Sequence, residues 1–372
     1  MSPYSNYSRW IVAVLATLAA SASSFADDFS ISRDEEVIAY PTYAYRESGQ
    51  WVVPIHGVIH ERESNSVRRR LMLSQLEKAI PVEKGSDDER RLRSRLQLFV
   101  ADNERGKKLS VTLGGKTHAL SQSGADGVFK TVFKLTDAEA KPLIEIADKS
   151  AGWLDYQFVM PVGDARTFGS RVLFMREAGL SVISDIDDTV RDSRVLEPAE
   201  LIANTFVREF RPVAGMPDLY QRFEQARIPI HYVSASPWQL YVPLKDFFGT
   251  SKLPLGTFHM RDFDLKRLSI GAIFQPTQSI KRQSIDPLMK RFPQRKFLLI
   301  GDSGEHDPEI YGKVASEFES QVVGIWIRNL PGRPCDEARC QAAFRSPLWR
   351  VFDRPEDLIE HAQKLIEQSD RK

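Results

Sequence analysis

The chain has 372 residues, of which 42% are hydrophobic and 27% charged, so it is long enough for two domains with substantial cores. Its 51 basic and 50 acidic residues nearly balance, which gives no support for nucleic-acid binding, because such binders carry a basic excess or stripe. The basic segment ERRLRSRLQ at 89–97 interleaves its charges with apolar residues, which is typical of a solvated helix face.

The N-terminal residues differ from the rest of the chain. Arg9 precedes the uncharged run WIVAVLATLAASASSFA, and Ser24 and Ala26 are small residues placed as they would be before a cleavage site. This pattern predicts a secretory signal peptide at residues 1–26 and an exported mature protein, periplasmic or secreted. A membrane anchor is the alternative, but the strongly apolar part of about 11 residues is shorter than the ~20 that span a bilayer.

Residues 27–178 are predicted to form a β-rich, sandwich-like domain. Glycine, proline and polar clusters separate the short runs VIAYPTYAYR, WVVPIHGVIHE, KLSVTLGG, GVFKTVFKL, WLDYQFVMP and SRVLFM. Such runs predict antiparallel strands, with helical stretches near 65–80 and 86–102. His56 and His60 are four residues apart, but Gly57 and the Val/Ile content predict a strand, so packing or solvent exposure is favoured over metal binding.

Residues 179–372 alternate apolar runs with helical patterns, which predicts a doubly wound α/β domain with a parallel sheet. The expected strands are LSVISDI, IPIHYVS, GTFHM, KFLLIG and VVGIWIR. Helices are expected at 198–210, 216–226, 237–248, 281–292 and 355–368. The continuous apolar strands favour a sheet that is buried on both faces.

Polar residues follow several of these strands, and the carboxyl ends of strands are where such sheets bind ligands. Asp185 and Asp187 follow the first strand, Ser234 ends the second, Asp302 follows the fourth, and Lys281 opens the helix before it. Clustered carboxylates are a hard oxygen site suited to Mg²⁺. A lysine and a hydroxyl can hold phosphate oxygens, so the set indicates phosphoryl chemistry.

The motif order D-x-D-x-T, Ser, Lys and G-D-x-x-x-x-D resembles the haloacid dehalogenase-like (HAD-like) phosphatase superfamily. The segments SDIDDTVRDSRV, HYVSASPWQLY and LIGDSGEHDPEIY are similar to one branch, the catalytic domain of the phosphatidate phosphatase family typified by an actin-patch-associated enzyme, with lipin-like chemistry. The resemblance covers roughly residues 180–330 and implies a HAD-like catalytic domain.

The resemblance also implies roles for individual residues. Asp185 would be the nucleophile that forms an aspartyl-phosphate, and Asp187 would protonate the leaving alkoxide and then activate water. Ser234 and Lys281 would bind the transferring phosphoryl group. Mg²⁺ would be held by Asp185, Asp302 and the backbone carbonyl of Asp187.

Residues around these motifs have two interpretations each. Asp188 is expected to shape the turn, and Thr189 is either a turn hydroxyl or a residue at the edge of the site. Asp307 precedes a proline, so it caps a helix, supports the metal ligands, or does both. Ser236 competes with Ser234 as a phosphate ligand, although Ser234 directly follows the strand.

Arg261 follows the third strand and would contact a phosphate or substrate head group, or form a salt bridge to Asp262 or Asp264. The aromatic residues that follow the serine motif would pack in the core or, less favoured, contact acyl chains. They are Trp238, Tyr241, Phe247 and Phe248.

Two further features complete the prediction. Cys335 and Cys340 are the chain's two cysteines, and in an oxidising compartment this close pair predicts a small loop disulfide, with free thiols as the alternative.

About 40 residues separate Thr189 from the second strand, and a similar number separates Ser234 from Lys281. The predicted helices and strand fill both spans, which predicts a minimal cap and an open site.

The sequence therefore predicts an exported, Mg²⁺-dependent phosphomonoesterase that acts through an aspartyl-phosphate. Phosphatidate or a related lipid phosphate is the substrate that the resemblance implies, with peripheral membrane contact and no nucleic-acid partner. The same mechanism on an envelope polymer or soluble phosphoester stays open, as does a non-catalytic module that binds an envelope partner.

Overall fold

The structure is a computed structural model. It describes residues 31–61, 80–263, 278–336 and 346–370, together with Val67, Leu71, Ser74, Glu77, Lys78, Arg339 and Cys340. The predicted signal peptide and most of the predicted helical stretch at 65–80 lie outside the described residues. Within the described part of the chain, no helix combines the length and the apolar character that crossing a membrane requires.

The N-terminal part of the described chain is β-rich, as predicted. Its elements are β1 (Glu35–Ala39), β2 (Thr42–Glu47), β3 (Gln50–Glu61), α1 (Asp87–Val100), β4 (Asp102–Asn103), β5 (Ser110–Leu113), β6 (Lys116–Ala119), β7 (Val128–Leu135), α2 (Asp137–Asp148), β8 (Trp153–Phe158) and β9 (Gly169–Phe174). The sheet order is β1-β3-β2-β9-β8-β5-β6, and β4 and β7 also pair with β3. Its pairs are antiparallel except β2 with β9.

Alternating side chains of this sheet build its core. Val53 and Ile55 of β3 are fully buried and share a hydrophobic cluster with Val172 of β9. Helix α2, which the sequence analysis did not predict, adds Ala140 to this cluster. The signal for α2 was a capping box: Thr136 accepts from the Glu139 amide, and the Glu139 carboxylate accepts from the Thr136 amide.

The C-terminal part is the predicted α/β fold. Its elements are β10 (Gly179–Ser184), α3 (Pro198–Ile202, continued by a π-helical turn at Ala203–Val207), α4 (Met216–Gln225), β11 (Ile230–Pro237), a 3₁₀ turn (Trp238–Leu240), α5 (Tyr241–Thr250), β12 (Thr257–Arg261), α6 (Gln278–Arg291), β13 (Arg295–Asp302), α7 (Asp307–Glu317), β14 (Val322–Arg328), β15 (Trp349–Phe352), a 3₁₀ turn (Pro355–Leu358) and α8 (Ile359–Asp370). Strand β15 was not predicted, and the predicted domain boundary falls where β10 begins.

The six strands of this sheet are parallel and run in the order β12-β11-β10-β13-β14-β15. Alternate residues of β10 point to opposite faces, so Val182 joins one hydrophobic cluster and Ile183 joins another. The sheet is therefore buried on both faces, as the continuous apolar runs predict. The strand order reverses at the β10–β13 pair, which is the switch point where such sheets bind ligands.

The two sheets pack against each other through aromatic residues. Tyr40, between β1 and β2, stacks on Trp238 with the ring centroids 4.0 Å apart. Tyr43 of β2 contacts Phe292 after α6 at 5.8 Å. The other three aromatic residues after the serine motif are buried in the same cluster as Tyr40, as the favoured packing interpretation requires. They are Tyr241, Phe247 and Phe248.

Candidate active site

The carboxyl ends of β10, β11 and β13 bring the predicted site residues together. The three strands are adjacent and parallel, so the residues that follow them share one edge of the sheet. Lys281 Nζ lies 2.9 Å from Asp185 Oδ1, and Ser234 Oγ lies 3.3 Å from Asp187 Oδ2. Asp302, the last residue of β13, contributes a carboxylate that lies near that of Asp185.

Lys281 is the buried cation at the centre of a group of carboxylates. Besides Asp185, it binds Asp307 Oδ1, and it lies 3.1 Å from Glu305 Oε2. Burial disfavours its charge, but Asp185, Asp307 and Glu305 outweigh that effect and raise the pKa of Lys281 well above its usual value. The ammonium is therefore charged throughout the physiological range and can hold phosphate oxygens.

The carboxylates outnumber this lysine, and several of their oxygens have no hydrogen bond. Oxygen atoms of Asp185, Asp302 and Asp307 lie within 4.8 Å of one another, and all three residues are buried. Asp302 Oδ1 accepts from two backbone amides, whereas Asp302 Oδ2 and both Asp185 oxygens accept no hydrogen bond from any described residue. The Lys281–Asp185 contact is thus an ion pair without hydrogen-bond geometry.

The pKa values reflect this excess of negative charge. Burial raises the pKa of Asp185 well above normal; Lys281 opposes this, and repulsion from Asp307 and Glu305 adds to it. Burial, with repulsion from Asp307 and Glu305, does the same to Asp302. A buried set of oxygen ligands with unused lone pairs fits a hard divalent cation such as Mg²⁺, which would offset this repulsion.

Asp187 has a different environment, in which both oxygens accept hydrogen bonds. Oδ1 accepts from Arg191 and, at 2.6 Å, from Ser193 Oγ. Oδ2 accepts from the hydroxyls of Ser236, at 2.9 Å, and Ser234. Burial favours the neutral acid, but Arg191 and these hydrogen bonds outweigh it and lower the pKa of Asp187.

Asp188 shapes the turn, which is the favoured interpretation of that residue. Its backbone has a positive φ of 55°, which aspartate tolerates better than most residues. Its carboxylate accepts from the backbone amides of Ser193, Arg194 and Val195 at 2.6 to 2.9 Å. Thr189 is fully buried, and its hydroxyl has no hydrogen-bond partner in the described part of the chain.

Asp307 and Arg261 contact other parts of the site loops. Helix α7 begins at Asp307, with His306 as its N-cap, and the Asp307 carboxylate binds Lys281 and the Asp302 amide instead of capping the helix. Arg261 Nε donates to the carbonyl of Ala235, between Ser234 and Ser236 in β11, at 3.1 Å. Asp262 pairs with Lys130, and Asp264, the other salt-bridge partner predicted for Arg261, lies outside the described residues.

Sequence reasoning missed three side chains of this site, Glu305, Arg191 and Ser193. All three lie inside the quoted motif segments but at positions that the motif pattern leaves unspecified. Arg191 is 2% exposed, and its guanidinium stacks on Phe210 at 4.4 Å. A burial signal was absent from the local sequence, because Arg191 lies in a polar segment that reads as a surface turn.

Comparison with known proteins supports the family resemblance. Residues 180–329 match the family model described as the catalytic domain of phosphatidate phosphatase APP1, so the resemblance stated from the motifs is confirmed for this part of the chain. The chain is 32% identical over 190 residues to an uncharacterized protein of Schizosaccharomyces pombe, covering 50% of this chain and 31% of that protein. It is 33% identical over 154 residues to phosphatidate phosphatase APP1 of Saccharomyces cerevisiae, covering 40% and 26%.

The chain thus spans about a third or less of the length of either yeast protein. Among solved structures, a HAD-like phosphatase candidate from Mesorhizobium loti aligns with a TM-score of 0.33 and 13% identity, covering 59% of this chain and 94% of that one. The fold described above rests on the strand order and pairing of this chain rather than on that alignment.

Proposed function

We propose that this protein is a Mg²⁺-dependent phosphomonoesterase that acts through an aspartyl-phosphate, and that its substrate is phosphatidate or a related lipid phosphate. One observation carries the reaction class: the buried Asp185 carboxylate has no hydrogen bond to described residues, and it lies beside Lys281 and the unpartnered Asp302 Oδ2. A carboxylate without hydrogen bonds keeps its lone pairs for attack on phosphorus.

The first displacement needs residues that hold the phosphoryl group in front of Asp185. We assign this role to Lys281 and Ser234, since Lys281 Nζ lies 2.9 Å from Asp185 Oδ1 and Ser234 Oγ lies 3.3 Å from Asp187 Oδ2. Mg²⁺ held by Asp185 and Asp302, with Asp307 beside them, would supply positive charge that offsets repulsion between the anionic nucleophile and the anionic phosphate. The backbone carbonyl of Asp187 is a further proposed ligand.

Asp187 is the proposed acid and base, and its hydrogen bonds indicate which oxygen carries the proton. Oδ1 faces Arg191, which can only donate hydrogen bonds. Oδ2 faces the hydroxyls of Ser234 and Ser236, which can reverse and accept. Because the pKa of Asp187 is lowered, the acid role requires Oδ2 to take up a proton when substrate binds, and this proton then passes to the leaving alkoxide as the phosphorus–oxygen ester bond breaks. Oδ2 then takes a proton from the water that attacks the aspartyl-phosphate.

The substrate class rests on the family match at residues 180–329 and on the name of the budding-yeast relative. A lipid substrate implies peripheral contact with a membrane surface. We also propose export to the periplasm or beyond, from the N-terminal pattern at residues 1–26. The Cys335–Cys340 disulfide is compatible with an oxidising compartment.

There are two alternatives to a lipid phosphatase: a phosphatase that acts on a non-lipid ester, and a non-catalytic binding protein. The same residues would hydrolyse a non-lipid phosphoester, such as an envelope polymer or soluble metabolite, because the contacts proposed for them involve only the phosphate. A non-catalytic envelope-binding role would rest on the β-rich sheet, which lacks an assigned chemistry. The unused oxygens of Asp185 and Asp302 argue against it, because a binding module gains nothing from buried, unpaired charge.

The test is Mg²⁺-dependent phosphate release from phosphatidate in mixed micelles, with glycerol phosphate and a chromogenic aryl phosphate in parallel. Turnover of the lipid alone, lost in Asp185→Asn, supports the proposal. Turnover of the soluble esters alone keeps the mechanism and rejects the lipid. Equal rates for Asp185→Asn and wild type would reject the nucleophile and favour the binding role.

A further inference from the structure

The loop between Asp302 and Asp307, residues 303–306 (here the acid loop), is bound from outside by two arginines. Arg339 donates to the carbonyls of Ser303 and Glu305, and Arg333 Nη1 donates to the carbonyl of Gly304 at 2.9 Å. Three consecutive carbonyls therefore accept guanidinium N–H groups. Each contact is a hydrogen bond from a charged donor, which is stronger than a neutral one.

The amide groups of the same loop point toward the site. Gly304 N and Glu305 N donate to Asp302 Oδ1 at 2.6 and 3.1 Å. A peptide group is planar, so fixing the carbonyl on one side also fixes the direction of the next N–H. The arginines thus orient the amides that occupy Oδ1 and leave Oδ2 as the oxygen of Asp302 without a described hydrogen bond.

Arg339 is itself held at several points. Its guanidinium pairs with Glu309 of α7, with Nε 3.0 Å from Oε1. It is next to Cys340, which forms a disulfide with Cys335, and both cysteines are buried in the cluster that contains residues of α7. The Cys335 amide donates to Asn329 Oδ1 at 3.0 Å, just after β14. The disulfide therefore closes the segment that carries Arg339 and fixes it to the sheet.

We propose that Arg333 and Arg339 are positioning residues for Asp302, and that the Cys335–Cys340 disulfide strengthens metal binding by holding Arg339 against the acid loop. This inference rests on the proposed cation site. Without the arginines the loop gains backbone freedom, the two amides leave Oδ1, and an ordered ligand geometry must be recovered at an entropic cost when the metal binds. Residues that orient metal ligands typically change affinity by roughly 10-fold to 100-fold when replaced.

The experiment compares the wild-type protein with Arg339→Met, Arg333→Met and the double variant Cys335→Ala/Cys340→Ala. The matched control is Arg282→Met, since Arg282 also pairs with α7, through Glu317 at its far end, and does not contact the acid loop. Mg²⁺ affinity is measured by isothermal titration calorimetry. Amide hydrogen exchange of the acid loop is measured on the metal-free protein, with β10 and β13 as internal references.

We expect Mg²⁺ to bind Arg339→Met about 10-fold or more weakly, with smaller losses for Arg333→Met and the cysteine variant and none for the control. The Gly304 and Glu305 amides should exchange faster in the three test variants while β10 and β13 stay protected. Saturating Mg²⁺ should restore most of the turnover of Arg339→Met, which a general folding defect would not allow.

Unchanged Mg²⁺ affinity and unchanged loop exchange in Arg339→Met would overturn the inference. Faster exchange throughout β10 and β13 would also overturn it, because the arginine would then support the fold in general. If the wild-type protein binds no Mg²⁺, the proposed cation site and the affinity claim both fall. The exchange data alone then decide whether the arginines position the loop.

Discussion

Two groups of acidic residues differ in how their charge is compensated. The first group lies in the β-rich part and comprises Asp34, Glu35 and Glu61. The second lies in the site at the end of the parallel sheet and comprises Asp185, Asp302 and Asp307. In the first, Glu35 Oε2 accepts from the Ser32 amide at 2.9 Å, and Lys107 lies 2.5 Å from Oε1. Asp34 is exposed and Glu61 half-buried, so water solvates both. In the second group, Lys281 pairs with Asp185 and Asp307, while Asp302 Oδ2 and both Asp185 oxygens accept no hydrogen bond from described residues.

The comparison teaches that neither proximity nor the direction of a pKa shift identifies a site. Burial and repulsion raise the pKa of Glu61 in the β-rich group, as they do for Asp302 in the site. The distinguishing features are full burial and unused oxygens at the switch point of a parallel sheet. Buried carboxylates with unused oxygens repel one another unless a cation binds, whereas the charge of Glu35 is already offset by Lys107.

The largest expected effect comes from removing one carboxylate from each acidic group, which tests whether only the second group is catalytic. Asp185→Asn should lower turnover by roughly 10⁴-fold or more, because the nucleophile is lost. It should cost little stability, since Lys281 keeps Asp307 and Glu305 as partners. Glu35→Gln should leave turnover within about 2-fold but destabilise the protein by about 1 kcal/mol, because Lys107 loses a buried partner. Steady-state kinetics and chemical denaturation measure both. A large kinetic loss in Glu35→Gln would show that the two groups are not independent.

The next effect tests the cation directly. Mg²⁺ at 100 times its Kd should stabilise the wild-type protein by about 2.7 kcal/mol, seen as a rise in Tm. Asp302→Asn should lose this rise, because it removes a proposed ligand. Glu61→Gln, from the other acidic group, should keep it. If EDTA and Mg²⁺ give the same Tm for the wild-type protein, the unused oxygens have another explanation.

A smaller effect concerns Arg191, which binds Asp187 Oδ1. Arg191→Met removes the donor that holds Asp187 Oδ1 and so misplaces Oδ2, even though it also raises the pKa of Asp187. It should therefore lower turnover of alkyl phosphates, which need a proton on the leaving oxygen, about 10-fold more than turnover of aryl phosphates. Arg95→Met is the matched control, since Arg95 stacks on the same Phe210 ring at 3.9 Å but does not bind Asp187. Equal losses for both ester types would assign Arg191 a structural role only.

Sequence patterns predicted the parallel sheet well, because buried strands such as KFLLIG are continuous apolar runs bounded by turn residues. They also predicted that Asp185, Lys281 and Asp302 would lie together, since the carboxyl ends of parallel strands share an edge. Strand β15 was missed because WRVF is short and half polar, with Arg350 between apolar residues.

Arg191 and the arginines that bind the acid loop were missed for different reasons. Arg191 pairs with Asp187, only four residues earlier, but the local sequence does not show that its guanidinium is buried against Phe210. The partners of Arg333 and Arg339 are backbone carbonyls that only tertiary folding brings near, so no local spacing encodes those contacts. Arg333 and Arg339 bind carbonyls 29 to 36 residues away, and any residue type offers a carbonyl there. The chemistry of the site was therefore visible in the sequence, but the groups that orient it were not.

The smallest effect concerns His259 of β12, a half-buried histidine whose nearby charge, Arg291, has the same sign as its protonated ring. The ring of His259 lies 5.9 Å from that of Tyr43 of β2, and loss of solvation there, with Arg291 nearby, lowers the pKa of His259 to about 4. The folded pKa is below the unfolded value of about 6.5, so the unfolded chain binds the proton first as the pH falls. The stability is complete above pH 6.5 and is lost progressively toward pH 4, by at most about 1.4 kcal/mol per pH unit.

Urea denaturation at pH 7.5, 6.5 and 5.5 measures this slope. His259→Gln should flatten the fall in unfolding free energy between pH 6.5 and 5.5 by about 1 kcal/mol. His361→Gln, on α8, is the control and should change this fall in unfolding free energy less. A slope that His259→Gln leaves intact would assign the acid sensitivity to other groups, with His231, buried beside His259 and also lowered in pKa, tested next. These histidines stay neutral because burial disfavours the charged ring, and because the nearby Arg291 (for His259) and Arg295 (for His231) have the same sign as a protonated ring.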